Sequence, residues 1–279
     1  MTWRMTVNTT LRQLTGYELR RAQSHRPVVA TQNAARNAAP KQPQPAAPTG
    51  PKPLKFPADY DESSKEIITA VKPWTMTSIE RLNALVQSVR YVTRHELPGD
   101  IVECGVWRGG SMQAVARTLL SLGVTDRELY LFDTFEGMSE PTEEDKRVDG
   151  ASAADLLATQ SKDRPIWALA TLDDVQDGFS RLDYPAERVH YVQGKVEDTI
   201  PEQAPEQIAI LRLDTDWYSS TKHELIHLYD RLVPGGVLLL DDYGYWQGSR
   251  QAVDEFLEET GARLLLTRMD EGRIAVKPS

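Results

Sequence analysis

The run Asp100-Ile-Val-Glu-Cys-Gly-Val-Trp-Arg-Gly-Gly-Ser111 constrains this chain more than any other stretch. A short apolar strand ends on an acid, Glu103, and breaks at Gly105 into a glycine turn. The turn opens an apolar-periodic helix from Ser111 to Leu122. Glycine permits a sharp turn and close backbone approach to a ligand, and the free N–H groups of a helix start face whatever lies there. A second strand, Leu129 to Phe132, leads into Asp133. That acid lies about 30 residues past Glu103, near the spacing at which a nucleotide-binding unit sets an acid against a ribose. The glycine pattern is Gly-x-x-x-Gly-Gly-Ser rather than Gly-x-Gly-x-x-Gly, so alone it is equally the signature of a plain turn. The acids further along decide between the two.

Strands are expected over 100–104, 128–132, 188–193, 207–213 and 236–240. Helices are expected over 111–122, 171–182, 219–232 and 250–260. An earlier helix starts at Ser78, a capping residue followed by Glu80 in the first turn, and stops at Leu97-Pro98-Gly99. Strands alternating with helices imply a parallel sheet covered on both faces. The rhythm breaks at the end: Arg263 to Thr267 and Arg273 to Val276 are strand-like and joined by a turn too short for anything but an antiparallel hairpin. The expected fold is therefore α/β: a mostly parallel, seven-stranded, Rossmann-like sheet with a terminal antiparallel hairpin, the outline of a class I methyltransferase.

Three regions follow from composition. Residues 1–24 carry a modest helical pattern at Leu11, Leu14, Tyr17 and Leu19, read as a surface helix or a docking arm. Residues 25–57, rich in Pro and Ala with no hydrophobic period, read as a semi-rigid linker. The folded domain is placed at 58–279. Within it, 135–165 lacks a strand pattern and holds Glu136, Glu140, Glu143, Glu144, Asp145 and Asp149, so it reads as a lid over the site or as a solvated surface loop.

The net charge of -9 makes nucleic acid or an anionic membrane surface a poor partner. The single cysteine, Cys104, excludes an intramolecular disulfide and a multi-cysteine zinc site. No apolar run is long enough to span a bilayer and no signal-peptide pattern opens the chain, so a cytoplasmic location is expected.

Leu211-Arg-Leu-Asp214-Thr-Asp216 ends one expected strand with two acids, and Leu238-Leu-Leu-Asp241-Asp242 ends the next the same way. One helix and one strand separate the two clusters, so they sit side by side at the carboxyl edge of the sheet, where open α/β folds bind ligands. Four carboxylates there repel. They point apart as helix caps, or hold a hard divalent cation, or supply a general base; the last two are compatible.

Taken together, Val-Glu-Cys-Gly-Val-Trp-Arg-Gly-Gly-Ser, Leu-Phe-Asp-Thr-Phe-Glu-Gly-Met, Leu-Arg-Leu-Asp-Thr-Asp-Trp-Tyr, Pro-Gly-Gly and Asp-Asp-Tyr resemble the macrocin O-methyltransferase family over about residues 75–279. The resemblance implies transfer of a methyl group from S-adenosyl-L-methionine to a hydroxyl, often on a deoxysugar of an antibiotic. It implies Glu103, Gly105 and Ser111 at the methionine side of that cofactor, Asp133 at the ribose, and Gly194 with 195–198 at the adenine. It implies Mg²⁺ on Asp214, Asp241 and Asp242, and Asp216 as general base. A vicinal diol chelates a metal, so the expected acceptor is such a sugar in a glycosylated natural product or glycan. A homodimer or higher homo-oligomer is expected. The competing functions are methylation of a catechol-like phenol, a nicotinamide-dependent oxidoreductase and a non-catalytic scaffold. Trp107, Trp217, Tyr218 and Tyr243 adjoin the motifs as aromatic faces or as packing. His223 and His227 share a helix face and read as ordinary helix histidines.

Overall fold

The computed structural model describes residues 54–279. The arm expected over 1–24, and the linker up to residue 53, lie outside the described residues. Leu54 and Phe56 already pack, with Tyr60, against Ile67, Ile68, Val71, Leu82 and Val86.

Seven strands form one sheet: β1 (Asp100–Cys104), β2 (Leu129–Asp133), β3 (Val189–Gln193), β4 (Ile208–Leu213), β5 (Leu232–Leu240), β6 (Thr267–Met269) and β7 (Gly272–Val276). Their order is β3-β2-β1-β4-β5-β7-β6. The first five pair in parallel, while β7 inserts antiparallel between β5 and β6. This is the expected sheet of class I methyltransferases, and β1 lies at its switch point, where the strand order reverses.

Alternation along the strands divides the core in two. Ile101, Leu129, Leu131, Ile210, Val237 and Leu239 face α2 (Ile79–Arg94), α3 (Gly110–Ser121) and α5 (Leu172–Phe179), meeting Leu85, Val115, Leu119 and Phe179. Val102, Cys104, Phe132, Leu211, Leu213, Leu238 and Leu240 face the other way, onto α7 (Tyr218–Leu228) and α8 (Gln247–Thr260) through Leu225, Leu228, Val253 and Phe256. Period-2 side chains on continuously buried strands are what a doubly covered parallel sheet requires. The remaining helices are α1 (Glu62–Val71), α4 (Ala153–Thr159) and the single turn α6 (Val196–Thr199).

Several expected boundaries shift: the helix expected over 171–182 is Leu172–Phe179, that over 250–260 is Gln247–Thr260, and the strand over 236–240 is Leu232–Leu240. The helix expected over 219–232 ends at Leu228, because β5 begins at Leu232 and carries Pro234-Gly-Gly236 inside the strand, with a register break between Ile208 and Ile210 on its neighbour. The first hairpin strand starts at Thr267 instead of Arg263: Leu264 and Leu266 do turn toward the core and Leu265 is 84% exposed, but only from Thr267 onward does β7 pair with it. The segment 135–165 contains α4, whose Ala153 and Leu157 pack with Trp217 and Trp246.

Helix α1, absent from the sequence expectations, is tied down by its cap. The Asp61 carboxylate accepts from Ser64 N at 2.9 Å and takes both guanidinium nitrogens of Arg90 on α2, at 2.7 and 3.2 Å. Those bonds hold the Asp61 carboxyl below the usual range. Asp61→Ala is expected to cost about 1 kcal/mol in urea unfolding. Because the folded-state pKa is the lower one, the contribution is present above the unfolded carboxyl pKa and fades as the solution is acidified, so wild type and variant converge at low pH.

Candidate active site

The parallel ladder runs one residue past each strand and aligns the functional positions. Gly105 N donates to Phe132 O at 2.9 Å, Asp214 N to Cys104 O at 2.8 Å, Asp241 N to Leu213 O at 2.9 Å and Gly194 N to Asp133 O at 3.0 Å. Gly105, Gly194, Asp214 and Asp241 are each the first residue beyond their strand, and Asp133 is the last of β2. They rim a cavity of about 550 Å³ across the carboxyl ends of the strands, which Ser111, Asp216 and Asp242 also line. That volume suits a small-molecule site.

The glycine turn is rigid by construction. Gly105 has φ +82°, and a Cβ there would lie 1.9 Å from the Asp214 carbonyl oxygen. Gly109, at φ +78°, caps α3 in the left-handed conformation. Between them Trp107 takes φ +48°, and the Asp133 carboxylate secures the loop: Oδ2 accepts from Val106 N at 2.7 Å and Trp107 N at 3.0 Å, and Oδ1 from Phe135 N at 2.7 Å. Ser111 Oγ lies 3.3 Å from Thr77 Oγ1, which brings the segment before α2 to the same wall.

Glu103 lies beneath this floor rather than on it. It is fully buried, pairs across the strands in register with Arg212 of β4, and forms an ion pair with its Nη1. Burial pushes the Glu103 carboxyl up to about 7, against the pull of Arg212. Arg212 Nη2 continues to Asp214 Oδ2 at 2.8 Å, Asp241 Oδ2 at 2.9 Å and Thr77 Oγ1 at 3.0 Å. From the rim, Arg81 of α2 also contacts the Asp241 carboxylate.

The acid end therefore holds two arginines, which sequence reasoning missed. The signal was there: Arg212 is the charged residue of the otherwise apolar strand Ile-Ala-Ile-Leu-Arg-Leu, beside a strand with one buried acid. Burial and mutual repulsion raise the carboxyl pKa values of Asp214, Asp216 and Asp242. Asp241 Oδ1 is buried without a hydrogen-bond partner. Asp216 sits in the left-handed region at φ +69°; its N donates to Asp242 Oδ2 at 3.0 Å, and its Oδ1 accepts from Trp246 Nε1.

The segment 135–165 builds the wall beside Asp216. Asp145, 1% exposed, accepts from Tyr218 N at 2.8 Å and so caps α7, while its other oxygen accepts from Thr142 N at 2.7 Å. Trp217 Nε1 donates to Ser139 O at 3.0 Å, and Trp217, Trp246, Ala153 and Leu157 form a buried cluster. Tyr218 and Tyr243 are engaged elsewhere, with Glu255 and Asp254, and His223 bonds Ile200 O.

The fold is that of class I methyltransferases, and comparison with known proteins supplies the family. The macrocin-O-methyltransferase (TylF) family matches residues 10–277. The chain belongs to that family. It is 36% identical over 187 residues to mycinamicin III 3''-O-methyltransferase of Micromonospora griseorubida, covering 67% of this chain and 71% of that one. It is 32% identical over 182 residues to demethyldecarbamoylnovobiocin O-methyltransferase of Streptomyces niveus, covering 65% and 67%. The solved O-methyltransferase NovP superposes with a TM-score of 0.65 at 30% identity, over 74% of this chain and 83% of that one.

Gly105→Ala is expected to destabilise the protein by several kcal/mol, on the order of 3, since the new methyl meets backbone on a strained φ. Thermal melting of the two proteins side by side gives the answer; an unchanged midpoint contradicts the account of the turn.

Proposed function

We propose that this chain transfers the methyl group of S-adenosyl-L-methionine to a hydroxyl of a sugar that offers a vicinal diol, in a glycosylated natural product or glycan, with Mg²⁺ at the aspartate cluster. The observation that carries the reading is one cavity lined by both the glycine turn and the four aspartates that follow β4 and β5. The relatives named for mycinamicin III and demethyldecarbamoylnovobiocin support the acceptor class.

The donor supplies a methyl on a positively charged sulfonium. In this reading Gly105 and Ser111 border its methionine part, Asp133 the ribose and Gly194 with Lys195 the adenine; Glu103 contributes negative charge from beneath. The chain's task is then alignment and proton removal. Asp216 takes the acceptor proton, its carboxylate fixed by Trp246 Nε1 and its backbone by Asp242. Met138, Leu157 and Trp167 pack around Trp217 and Trp246, next to Asp216.

The residues fit a hard cation in chemistry: the donors are all carboxylate oxygens, and Asp241 Oδ1 is buried without a donor. Among the described residues, however, no three acid, His or Cys side chains converge as a ligand set. Asp214 and Asp241 are paired with arginines instead. Asp214, Asp241 and Asp242 are the proposed ligands, and Mg²⁺ held there would supply Lewis acidity to the acceptor hydroxyl. A cytoplasmic location and self-association complete the reading; sedimentation velocity tests the latter.

Calorimetric titration of S-adenosylhomocysteine, with and without Mg²⁺, tests the core. Micromolar binding supports it, and no binding in either condition removes it. Asp216→Asn is expected to keep that binding and lose roughly 10²–10⁴-fold in turnover of an accepted glycoside; normal turnover sinks the base. Excess chelator is expected to abolish methyl transfer and Mg²⁺ to restore it, so full activity in chelator rules out the metal.

A further inference from the structure

Two guanidiniums reach the acid end of the cavity, and they are built differently. Arg212 is sealed, 3% exposed, and held by Glu103, Asp214, Asp241 and Thr77. Arg81 sits at the rim, 16% exposed, and lines the cavity. Its Nη1 contacts the Asp241 carboxylate and lies 3.3 Å from the Asp241 carbonyl oxygen. Its Nε lies 3.8 Å from Oδ2 of Asp270, an acid 38% exposed in the turn between β6 and β7. One edge of this guanidinium thus touches a buried acid of the cluster, and the other faces an acid at the surface.

Asp241 supplies an independent observation. It is 2% exposed, its Oδ2 receives both arginines, and its Oδ1 has no hydrogen-bond partner. An oxygen left without a donor in a buried site is costly, and both arginines that reach Asp241 are engaged by its other oxygen.

We propose that Arg81 is an exchangeable counter-ion for the metal site: it neutralises Asp241 in the metal-free protein, and cedes that carboxylate to a divalent cation by shifting its guanidinium toward Asp270. This rests on the reading that Asp214, Asp241 and Asp242 bind Mg²⁺. A guanidinium and a divalent cation on one carboxylate repel each other strongly in a site of low dielectric. The guanidinium does not go unpaired when displaced, because Asp270 receives it at the surface. Arg212, 3% exposed and paired with Glu103 below as well as Asp214 and Asp241 above, remains the fixed charge under the cluster. Arg81 Nε, the guanidinium nitrogen nearer Asp270, also donates to Ser78 Oγ at 3.4 Å, so the shift gives up the Nη1 contact with Asp241 and keeps the Nε edge on the Asp270 side. Metal affinity is therefore set by competition between this chain's own cation and the ion from solution.

The test is titration of Mn²⁺ into the full chain, free Mn²⁺ being read by electron paramagnetic resonance, for wild type, Arg81→Gln and Asp270→Asn. Removing the competitor in Arg81→Gln is expected to tighten Mn²⁺ binding about tenfold. Removing the receiving acid in Asp270→Asn is expected to weaken it by roughly threefold or more. If Arg81→Gln keeps the wild-type melting curve and binds Mn²⁺ no tighter, Arg81 is an anchor for Asp241 and the exchange is wrong. Unchanged affinity in Asp270→Asn overturns the receiving role, and this exposed position carries the test if Arg81→Gln does not fold. Wild type that binds no Mn²⁺ removes the metal reading itself, an outcome distinct from wild type that binds and a variant that moves the wrong way.

Discussion

The buried pair between Glu103 and Arg212 is the interaction on which the rest depends. It stands at the centre of the sheet, where β1 and β4 meet and the strand order reverses. Removing one partner of a pair in such a place leaves a lone charge in the core, typically at a cost of roughly 3–5 kcal/mol. The pair also sends positive charge upward. Arg212 spends one nitrogen on Glu103 and another on Asp214, Asp241 and Thr77, so one guanidinium joins three strand ends and the segment before α2. Without it, the four aspartates on the cavity wall and Glu103 beneath them lose the guanidinium that joins them, and Arg81 is left in contact with Asp241 alone among them.

Above that foundation, the loop after β4 is held by long-range contacts rather than by its own propensity. Asp216 adopts a left-handed backbone, a conformation that persists when the surroundings over-determine it. Asp242 holds its N–H, Trp246 its carboxylate, Asp145 the next helix start and Ser139 the indole beside it. Asp145 is thus a structural acid within what reads, by composition, as a solvated acidic loop.

What the sequence discloses depends on how local the cause is. The strands and the glycine turn were legible because period-2 apolar runs and a Gly-Gly-Ser helix start act within a few residues. The acids at the ends of β4 and β5 were legible because they close apolar runs. The roles of Arg81, Asp145 and Trp246 were not, since each partner lies tens of residues or more away and no spacing rule connects Arg81 to Asp241. The start of β6 was misplaced for the same reason: alternation at Leu264 and Leu266 marks burial, whereas a strand needs a partner, and β7 pairs only from Thr267. Glu103 illustrates the remaining gap, because an acid at a strand end reads as ligand-facing until the pleat puts it on the side of Arg212.

The antiparallel insertion of β7 has a consequence for biosynthesis. β5 leaves the ribosome before α8 and β7, so its free edge, ending in Leu238-Leu239-Leu240, stays unpaired while the intervening residues are made. An apolar strand edge of that kind is a template for association with other chains. Two acids immediately follow it, Asp241 and Asp242, and charge beside an apolar strand is a recognised guard against aggregation.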